Sequence, residues 1–247
     1  MEILYEDDLC LAVLKPAGLP TQAPREFDSL ERQVRSLLAE RAAAADQTGE
    51  PYLGLPHRLD RAVSGAVLFA KTRRAARTLS RQFERRQVGK IYWACVERIV
   101  EPSQGTWIDC VRKVPDQPRS EIVPASSPGA QQAVLHYRVL ESRSIGVADA
   151  AANSWLEIEL ETGRMHQIRL QAGSRGHPVL GDAMYGSNAA FGPPADDERE
   201  RQIALHGRAL RFTQPDTRQP ITVVAPLPPV WTPFGQPTDG EFSASDA

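Results

Sequence analysis

The chain has 247 residues, of which 41% are hydrophobic and 24% are charged, as is ordinary for a globular protein. No apolar run approaches the roughly 18–20 residues that would span a bilayer. The N-terminus is acidic where a signal peptide would be basic, so we expect a cytoplasmic protein. Cys10, Cys95 and Cys110 are too few and too widely spaced to predict a disulfide framework or a zinc site. Cys95 lies in an apolar run and is expected to be a buried strand residue.

Charge is distributed unevenly along the chain. The net value is only −2, but residues 71–90 carry eight lysine or arginine side chains against the single Glu84, a local net charge of +7. A basic stripe within a nearly neutral chain is typical of nucleic-acid binding. The alternative is a solvated arginine-rich face that binds nothing.

The N-terminal third combines short strands with two helices. The stretch ILYEDDLCLAVLKPAGLP predicts two strands that end at a KPAG turn. Apolar residues at helical spacing predict a helix over residues 28–44. Residues 67–70 read as a strand. Residues 73–87 predict a helix capped by Thr72, with one apolar face and arginines over the rest of its surface.

Strands dominate the rest of the chain. They are predicted at residues 90–97, 106–111, 132–141, 154–161, 203–212 and 221–226. Residues 112–131 read as a loop and residues 187–202 as a polar, mobile insertion. Because strands outnumber helices and do not alternate with them, we predict an α+β fold rather than a doubly wound α/β fold. We expect one domain over residues 1–233 and a disordered tail over residues 234–247.

The first dense polar cluster is HRLDRAVSGAVLFAK, residues 57–71. Its charged start includes Asp60, and an apolar strand follows that would hold a reactive group rigidly. A carboxylate in such a place can act as a nucleophile, a general acid or base, or a metal ligand. The alternative is an ordinary turn or capping aspartate.

The second dense cluster is GRMHQIRLQ, residues 163–171. Read as a strand, it places Arg169 among strand residues, where an unpaired charge is costly. We therefore expect an acidic partner, and Asp60 is the candidate; a surface strand arginine is the alternative. Tyr92 follows Lys90 in a predicted strand and is either a functional tyrosine or a core aromatic residue.

Patterns for other chemistries are missing from the sequence. The histidines form no close-spaced ligand pair, the glycines form neither GxGxxG nor a Walker loop, and Ser64 lacks a GxSxG elbow. We therefore predict neither a metal nor a nucleotide cofactor. His136 and His206 are single histidines in apolar runs and are expected to be structural.

HRLDRAVSGAVLFAK closely resembles the HRLDxxTSG signature of the RluA family of pseudouridine synthases. Four further segments resemble the family's motifs in the same order. They are LYEDDLCLAVLKPAG with its KPxG turn, the K-x-Y of residues 90–92, TGRMHQIRLQAGSRGHPVLGDAMYG, and IALHGRALRF. The resemblance covers about residues 1–226, and five ordered motifs at compatible spacing are highly specific.

The resemblance implies a pseudouridine synthase fold, which is a mixed, mostly antiparallel sheet with a central cleft and flanking helices. It implies that Asp60 is the nucleophile, that Tyr92 is the active-site tyrosine and that Arg169 pairs with the aspartate. It implies isomerisation of a specific uridine in ribosomal or transfer RNA, after base flipping, with neither metal nor organic cofactor. We expect no membrane partner, and a monomer.

RNA contacts are expected from residues around both clusters and from the basic helix. They are His57, Arg58, Arg61, Lys71, Arg73, Arg74, Arg77, Arg81, Arg164 and His166. The KPxG turn occurs by residue 18, so we expect no S4-type RNA-binding domain before it, and RNA is then held by the catalytic domain itself.

The sequence departs from the family pattern at three positions. Val63 replaces a threonine, Met165 replaces a small residue and Gln171 replaces a histidine. These departures support the main alternative, a catalytically silent relative that only binds RNA. A metal-dependent hydrolase that uses the histidines is a third interpretation.

Overall fold

A computed structural model of the protein describes residues 1–46, 48–143 and 152–234. It divides into two compact units. The first comprises Met1–Ile91, Pro194–Gln202 and His206–Leu227, and the second comprises Tyr92–Pro193, Ile203–Leu205 and the chain from Pro228. Within the described residues, no helix is both long enough and apolar enough to cross a membrane. Apart from Phe234, the tail predicted to be disordered lies outside the described residues.

The described residues contain ten strands and three α-helices. In chain order the strands are β1 (Ile3–Glu6), β2 (Cys10–Lys15), β3 (Ser64–Ala70), β4 (Gly89–Glu97), β5 (Gln104–Lys113), β6 (Ser120–Ile122), β7 (Gln131–Arg143), β8 (Asn153–Leu160), β9 (Leu205–Thr213) and β10 (Pro220–Val224). The helices are α1 (Leu30–Ala44), α2 (Arg73–Glu84) and α3 (Gln167–Ser174). Strand pairing is mostly antiparallel, which confirms the predicted α+β fold with a mixed sheet. The central cleft stays a prediction.

In the first unit the strand order is β1–β2–β3–β9, with β10 paired to β9. The β3–β9 pair is parallel and the other neighbours are antiparallel. Every residue of β3 is buried, which explains why its sequence after Ser64 has no polar residue instead of alternating. A core of apolar side chains, including Leu68, Leu79 and Phe212, packs between β3, α2 and β9.

Hydroxyl side chains cap two helices of this unit, and the cap at Thr72 confirms the sequence prediction. The Ser29 hydroxyl accepts a hydrogen bond from the Arg32 amide at the start of α1, and Thr72 does the same for Ala75 at the start of α2. Such caps satisfy amides that have no partner within the helix. Ala75 and Leu79 are buried, so the arginines of α2 face outward.

In the second unit the strand order is β4–β8–β7–β5–β6. The short β6 lies within residues 112–131, which we predicted to be a loop. Trp155 packs against Trp231 with 4.9 Å between ring centroids, and Phe191 packs on Trp231 at 5.1 Å. Phe191 is buried, although it belongs to the segment that we predicted to be a polar insertion. Cys95 is buried in β4, as predicted.

The prediction that residues 163–171 form a strand is wrong, because α3 begins at Gln167. His166 precedes the helix in the left-handed conformation, with φ of 55°. The Gln167 side chain fixes this start, since its Oε1 accepts hydrogen bonds from the Arg164 amide and the Thr162 hydroxyl. Six consecutive residues from Gln167 to Ala172 are buried, and a short buried run gives no periodicity that separates helix from strand.

Gly65 lets β3 and β9 approach closely. It has φ of +135°, and a Cβ placed on it would lie 2.4–2.6 Å from backbone atoms of Gly207, its partner in the parallel pair. No side chain fits there unless one strand moves. Gly65, in the segment of residues 57–71, therefore fixes the start of β3 against β9.

We predict that Gly65→Ala lowers the free energy of unfolding by about 3 kcal/mol or more, from overpacking combined with an unfavourable φ. Gly49→Ala is the matched control, because Gly49 also has positive φ but has no atom within 4 Å of the added Cβ. It should cost only about 1 kcal/mol. Urea unfolding of both variants measures the difference, and equal losses would contradict the steric account.

Candidate active site

Asp60 lies in the loop that leads into β3. Its carbonyl oxygen accepts a hydrogen bond from the Val63 amide at 3.1 Å, which closes a turn. Leu59 and Val63, on either side of this turn, are buried, whereas Asp60 is partly exposed. The buried neighbours fix the backbone, so the carboxylate has the rigid mount that the sequence predicted.

Lys15 anchors this loop, a role that sequence reasoning missed. The side chain is fully buried, and its Nζ donates hydrogen bonds to the carbonyl oxygens of Pro16, Leu19 and Arg61 at 2.9, 2.7 and 3.2 Å. Burial lowers the pKa of Lys15 to about 7, while the negative charge of Asp60 raises it. The signal was present in the lysine of the KPxG turn, but its partners are brought together only by the fold.

Further hydrogen bonds tie the Asp60 loop to the segment after the KPxG turn. The Gly18 amide donates to the Arg61 carbonyl at 2.8 Å, and the Arg61 Nε donates back to the Gly18 carbonyl at 2.8 Å. The buried Thr21 hydroxyl donates to the Leu59 carbonyl at 2.8 Å and accepts from the Leu59 amide at 3.1 Å. The backbone on both sides of Asp60, at Leu59 and Arg61, is therefore held by hydrogen bonds.

His57, predicted to contact RNA, has its ring engaged in internal contacts. Its Nε2 accepts a hydrogen bond from the Leu68 amide at 2.9 Å, and the ring stacks on Phe83 at 4.6 Å. Burial lowers the pKa of His57 to about 3, with the positive charge of Lys90 as a second cause. A neutral ring is what the acceptor role of Nε2 requires.

Two further histidines, His206 and His136, were expected from the sequence to be structural. His206 is fully buried and its Nδ1 lies 2.8 Å from the Ser64 hydroxyl, which confirms a structural role. His136 lies on an exposed face of β7, where its Nδ1 lies 2.8 Å from the Thr106 hydroxyl, and its structural role stays a prediction. Among the residues that the structure describes, no group of three or more His, Cys, Asp or Glu side chains is arranged to hold a metal ion.

Most of the predicted RNA-binding cations of the first unit are exposed. Exposed residues are Arg58, Arg61, Arg73, Arg74, Arg77 and Arg81. Lys71 differs, because it is partly buried and its Nζ donates to the Glu6 carboxylate and to the Asp7 carbonyl. The outward face of α2 is therefore a basic surface, which we call the α2 arginine face and define by Arg73, Arg74, Arg77 and Arg81.

In the second unit, Arg169 lies on α3 and is buried, with Asp182 as an acidic partner. Its Nε and Nη2 donate to the two carboxylate oxygens of Asp182 at 2.6 and 2.8 Å, and the two side chains are only 7% and 1% exposed. The guanidinium also lies 5.1 Å from the centroid of the Tyr185 ring. The expectation of an acidic partner is thus confirmed, and Asp182 is a partner that the sequence did not suggest. Pairing of Arg169 with Asp60 stays a prediction.

Sequence reasoning missed Asp182 and Tyr185, although both belong to the GDAMYG motif. The Tyr185 hydroxyl lies 3.0 Å from the Nδ1 of His166 and accepts a hydrogen bond from the Ser120 amide at 3.0 Å. Arg164 donates from Nε to the Gln132 carbonyl at 3.0 Å. The two residues predicted to contact RNA here, Arg164 and His166, are therefore partly engaged within the unit.

Tyr92 lies in β4 between the buried residues Ile91 and Trp93, but it is itself partly exposed. Its phenol is thus less enclosed than that of a core aromatic residue. Two of the three departures from the family pattern, Val63 and Gln171, are buried, and the Gln171 amide donates to the Asp109 carboxylate at 2.6 Å. None of the three departures removes Asp60, Tyr92 or Arg169.

We predict that acid destabilises the protein through His57. The unfolded chain takes up a proton near pH 6.5 and the folded chain near pH 3, so the stability gained from neutral His57 is complete above about pH 6.5 and is lost as the pH falls toward 3. Between pH 7.5 and 4.5 the wild type should lose about 2–3 kcal/mol more than His57→Gln, which keeps an amide acceptor without titrating. Urea unfolding at both pH values measures this. Equal losses of unfolding free energy in the wild type and His57→Gln would contradict the lowered pKa of His57.

We predict that Asp182→Asn lowers the free energy of unfolding by about 3–5 kcal/mol, because it leaves a buried guanidinium without its counter-charge. The matched control is Asp216→Asn, in the Arg74–Asp216 pair, whose side chains are 82% and 61% exposed. An exposed pair contributes at most about 1 kcal/mol. Denaturant unfolding compares the two variants, and similar small losses would show that the Arg169–Asp182 pair does not stabilise the fold.

A family model described as RNA pseudouridylate synthase matches residues 10–174. An uncharacterized RNA pseudouridine synthase of Zymomonas mobilis is 32% identical over 235 residues, which cover 94% of this chain and 96% of the relative. An uncharacterized RNA pseudouridine synthase of Synechocystis is 36% identical over 92% of this chain and 66% of its own length. Ribosomal large subunit pseudouridine synthase D of Pseudomonas aeruginosa is 33% identical over 92% of this chain and 68% of its own length.

The fold is similar to that of a solved structure, human RNA pseudouridylate synthase domain containing 4. The TM-score is 0.70 at 25% identity, with 92% of this chain and 89% of the human chain covered. The chain spans about two thirds of the length of the Synechocystis and Pseudomonas relatives. The family model covers more than half of the chain, and the Zymomonas relative matches over nearly its whole length. This chain therefore belongs to the RNA pseudouridylate synthase family, and to its RluA branch.

Proposed function

We propose that the protein is an RNA pseudouridine synthase that isomerises a specific uridine in ribosomal or transfer RNA, with Asp60 as the nucleophile. The observation that carries the proposal is the rigid turn at Asp60, anchored by Lys15 at the start of β3. A family member that retains its aspartate on such a mount is suited to catalysis. The name of the Pseudomonas relative favours RNA of the large ribosomal subunit as the substrate.

The reaction breaks the bond between N1 of uracil and C1′ of ribose, turns the base, and joins C5 to C1′. Both bonds belong to one nucleoside, and the hydrogen displaced from C5 passes to water. The target base must first leave the helical stack, which costs a few kcal/mol. Because the atoms balance within one nucleoside, the proposal requires neither a metal nor an organic cofactor.

Three residues carry the chemistry in this proposal. The ionised carboxylate of Asp60 attacks C1′, or it assists departure of the uracil through a glycal. Arg169 favours the charged form of the aspartate. In the glycal route, Tyr92 takes the proton from C2′. A partly exposed tyrosine on β4 supports this role better than a fully enclosed one.

RNA is held by exposed cations in this proposal. Arg58, two residues before Asp60, fills the gap left by the flipped uridine or stacks on a base. Arg61, on the other side of Asp60, and the α2 arginine face contact phosphates. A single copy of the protein acts in the cytoplasm.

The test of the function uses total RNA labelled with tritium at C5 of uracil, taken from cells that lack this gene. Forming the new carbon–carbon bond expels tritium to water, so the wild type should release it in the presence of EDTA. Asp60→Asn should release none, and Tyr92→Phe should be strongly slowed. Asp8→Asn, which changes an exposed aspartate, is the control and should behave as the wild type.

Two outcomes would contradict the proposal. Release of tritium by Asp60→Asn at the wild-type rate would show that Asp60 is not the nucleophile. No release by the wild type, although it binds the RNA and an unmodified target is present, would favour the alternative of a relative that binds RNA without isomerising it.

We predict that Arg77→Ala combined with Arg81→Ala flattens the salt dependence of binding to large-subunit ribosomal RNA. Each phosphate contact that is lost reduces the slope of log K against log salt by about 0.7–0.9, so the pair should reduce it by about 1.5. The control combines Arg41→Ala with Arg138→Ala, which removes the same charge from exposed ion pairs elsewhere. Filter binding at several salt concentrations measures both slopes. Equal slopes for the two double variants would show that the α2 arginine face does not contact phosphates.

A further inference from the structure

A surface cleft beside the Asp60 loop combines an aromatic side chain with two cations. The cleft has a volume of about 320 Å³, and we name it the Phe27 cleft after its exposed phenylalanine. Its walls include Gly18, Pro24, Phe27, Arg61 and Arg199. We propose that the Phe27 cleft binds the unpaired nucleotide next to the target uridine, with the base on Phe27 and its phosphate between Arg61 and Arg199. This inference rests on the proposed function.

Phe27 supplies a stacking surface that the fold does not use. It is 58% exposed, whereas a phenylalanine is ordinarily among the most buried residues. The loop that carries it is ordered by hydrogen bonds: the Phe27 amide donates to the Pro24 carbonyl, and the Arg32 guanidinium donates to the Arg25 carbonyl. An exposed aromatic ring on a fixed backbone can stack on a base without first losing much conformational entropy.

Charge in the cleft favours an anionic ligand. Arg61 and Arg199 are exposed, and the segment that carries Arg199 approaches the KPxG turn, since the Glu200 carbonyl lies 3.7 Å from the position of a Cβ on Gly18. Asp28 is the acidic residue in the wall. Its two carboxylate oxygens accept hydrogen bonds from the Ser29 amide and the Gln33 side chain, so they serve the start of α1. Two arginines against one aspartate still leave the lining with a net charge of +1 (2 − 1).

Position relates the cleft to the proposed nucleophile. Arg61 follows Asp60 directly, so their Cα atoms are about 3.8 Å apart. The loop from the KPxG turn to α1, which carries Phe27, is bonded to the Asp60 loop through Thr21 and Leu59. An RNA chain whose target uridine reaches Asp60 therefore passes the Phe27 cleft within one or two nucleotides.

Size and lining select one nucleotide and not a duplex. A volume of about 320 Å³ is at the lower end of the range for small-molecule sites, which hold one small ligand each. Stacking on an aromatic ring needs a base that has left its helix, as bases in loops and bulges do. The cleft would thus select uridines that lie beside an unpaired nucleotide.

The experiment compares the binding of a fluorescein-labelled 12-mer of oligouridylate to five forms of the full chain. These are the wild type, Phe27→Ala, Phe27→Tyr, Arg199→Ala and Ile108→Ala. Ile108 is the matched control, because it is also 58% exposed but lies on β5 in the other unit. Thermal unfolding of each form confirms that the fold is retained before affinities are compared.

We expect Phe27→Ala to weaken binding by about five-fold or more, which is the lower limit for one stacked base. Phe27→Tyr and Ile108→Ala should stay within about two-fold of the wild type. Arg199→Ala should weaken binding and reduce the salt slope by about 0.7, the value for one phosphate contact on a single strand. An affinity of Phe27→Ala equal to that of the wild type would overturn the proposal, as would equal losses in the alanine and tyrosine variants.

Tritium release separates this proposal from the proposed function. If the wild type releases no tritium but Phe27→Ala binds oligouridylate more weakly, the isomerase function is contradicted, whereas binding of an unpaired base in the Phe27 cleft is supported. If the wild type and Phe27→Ala release tritium equally and bind oligouridylate equally, the cleft fails and the function stands. If both proposals hold, Phe27→Ala should raise the KM for RNA more than it lowers kcat.

Discussion

The buried ammonium group of Lys15 is the interaction on which the Asp60 loop depends. Removing a lysine charge from water is costly, and the cost is offset here by three backbone carbonyl oxygens and by the nearby charge of Asp60. One of those carbonyls belongs to Arg61, directly after Asp60. The same side chain therefore fixes the KPxG turn and the loop that holds the carboxylate, which links two motifs that are more than forty residues apart in the sequence.

A similar arrangement holds the arginine in the second unit. Asp182 fixes two nitrogen atoms of Arg169, and the Tyr185 ring lies against the guanidinium. In both units a proposed site residue lies beside a buried charged group that is hydrogen-bonded to its neighbours. Groups held in place before the substrate arrives do not have to be reorganised during the reaction, and this is how a fixed site lowers a barrier.

The sequence predicted the elements whose local patterns are strong. The cap at Thr72, the apolar faces of α1 and α2, and the buried run of β3 all depend on residues close together in the chain. The short helix α3 was read as a strand because its buried run has no usable periodicity. Lys15 and Asp182 were missed as anchors because their roles depend on partners that only the folded chain brings close. For the same reason, the inward orientation of His57 could not be read from its charged neighbours.

The most direct test of this account is hydrogen exchange in Lys15→Met. The account predicts that the Gly18 amide, bonded to the Arg61 carbonyl, and the Leu59 amide, bonded to Thr21, lose protection, while the Leu68 amide in β3 keeps it. Lys71→Met is the control, because Lys71 also bonds a backbone carbonyl but lies away from this loop. Unchanged protection at Gly18 and Leu59 in Lys15→Met would show that the buried ammonium does not hold the Asp60 loop, and would contradict the account.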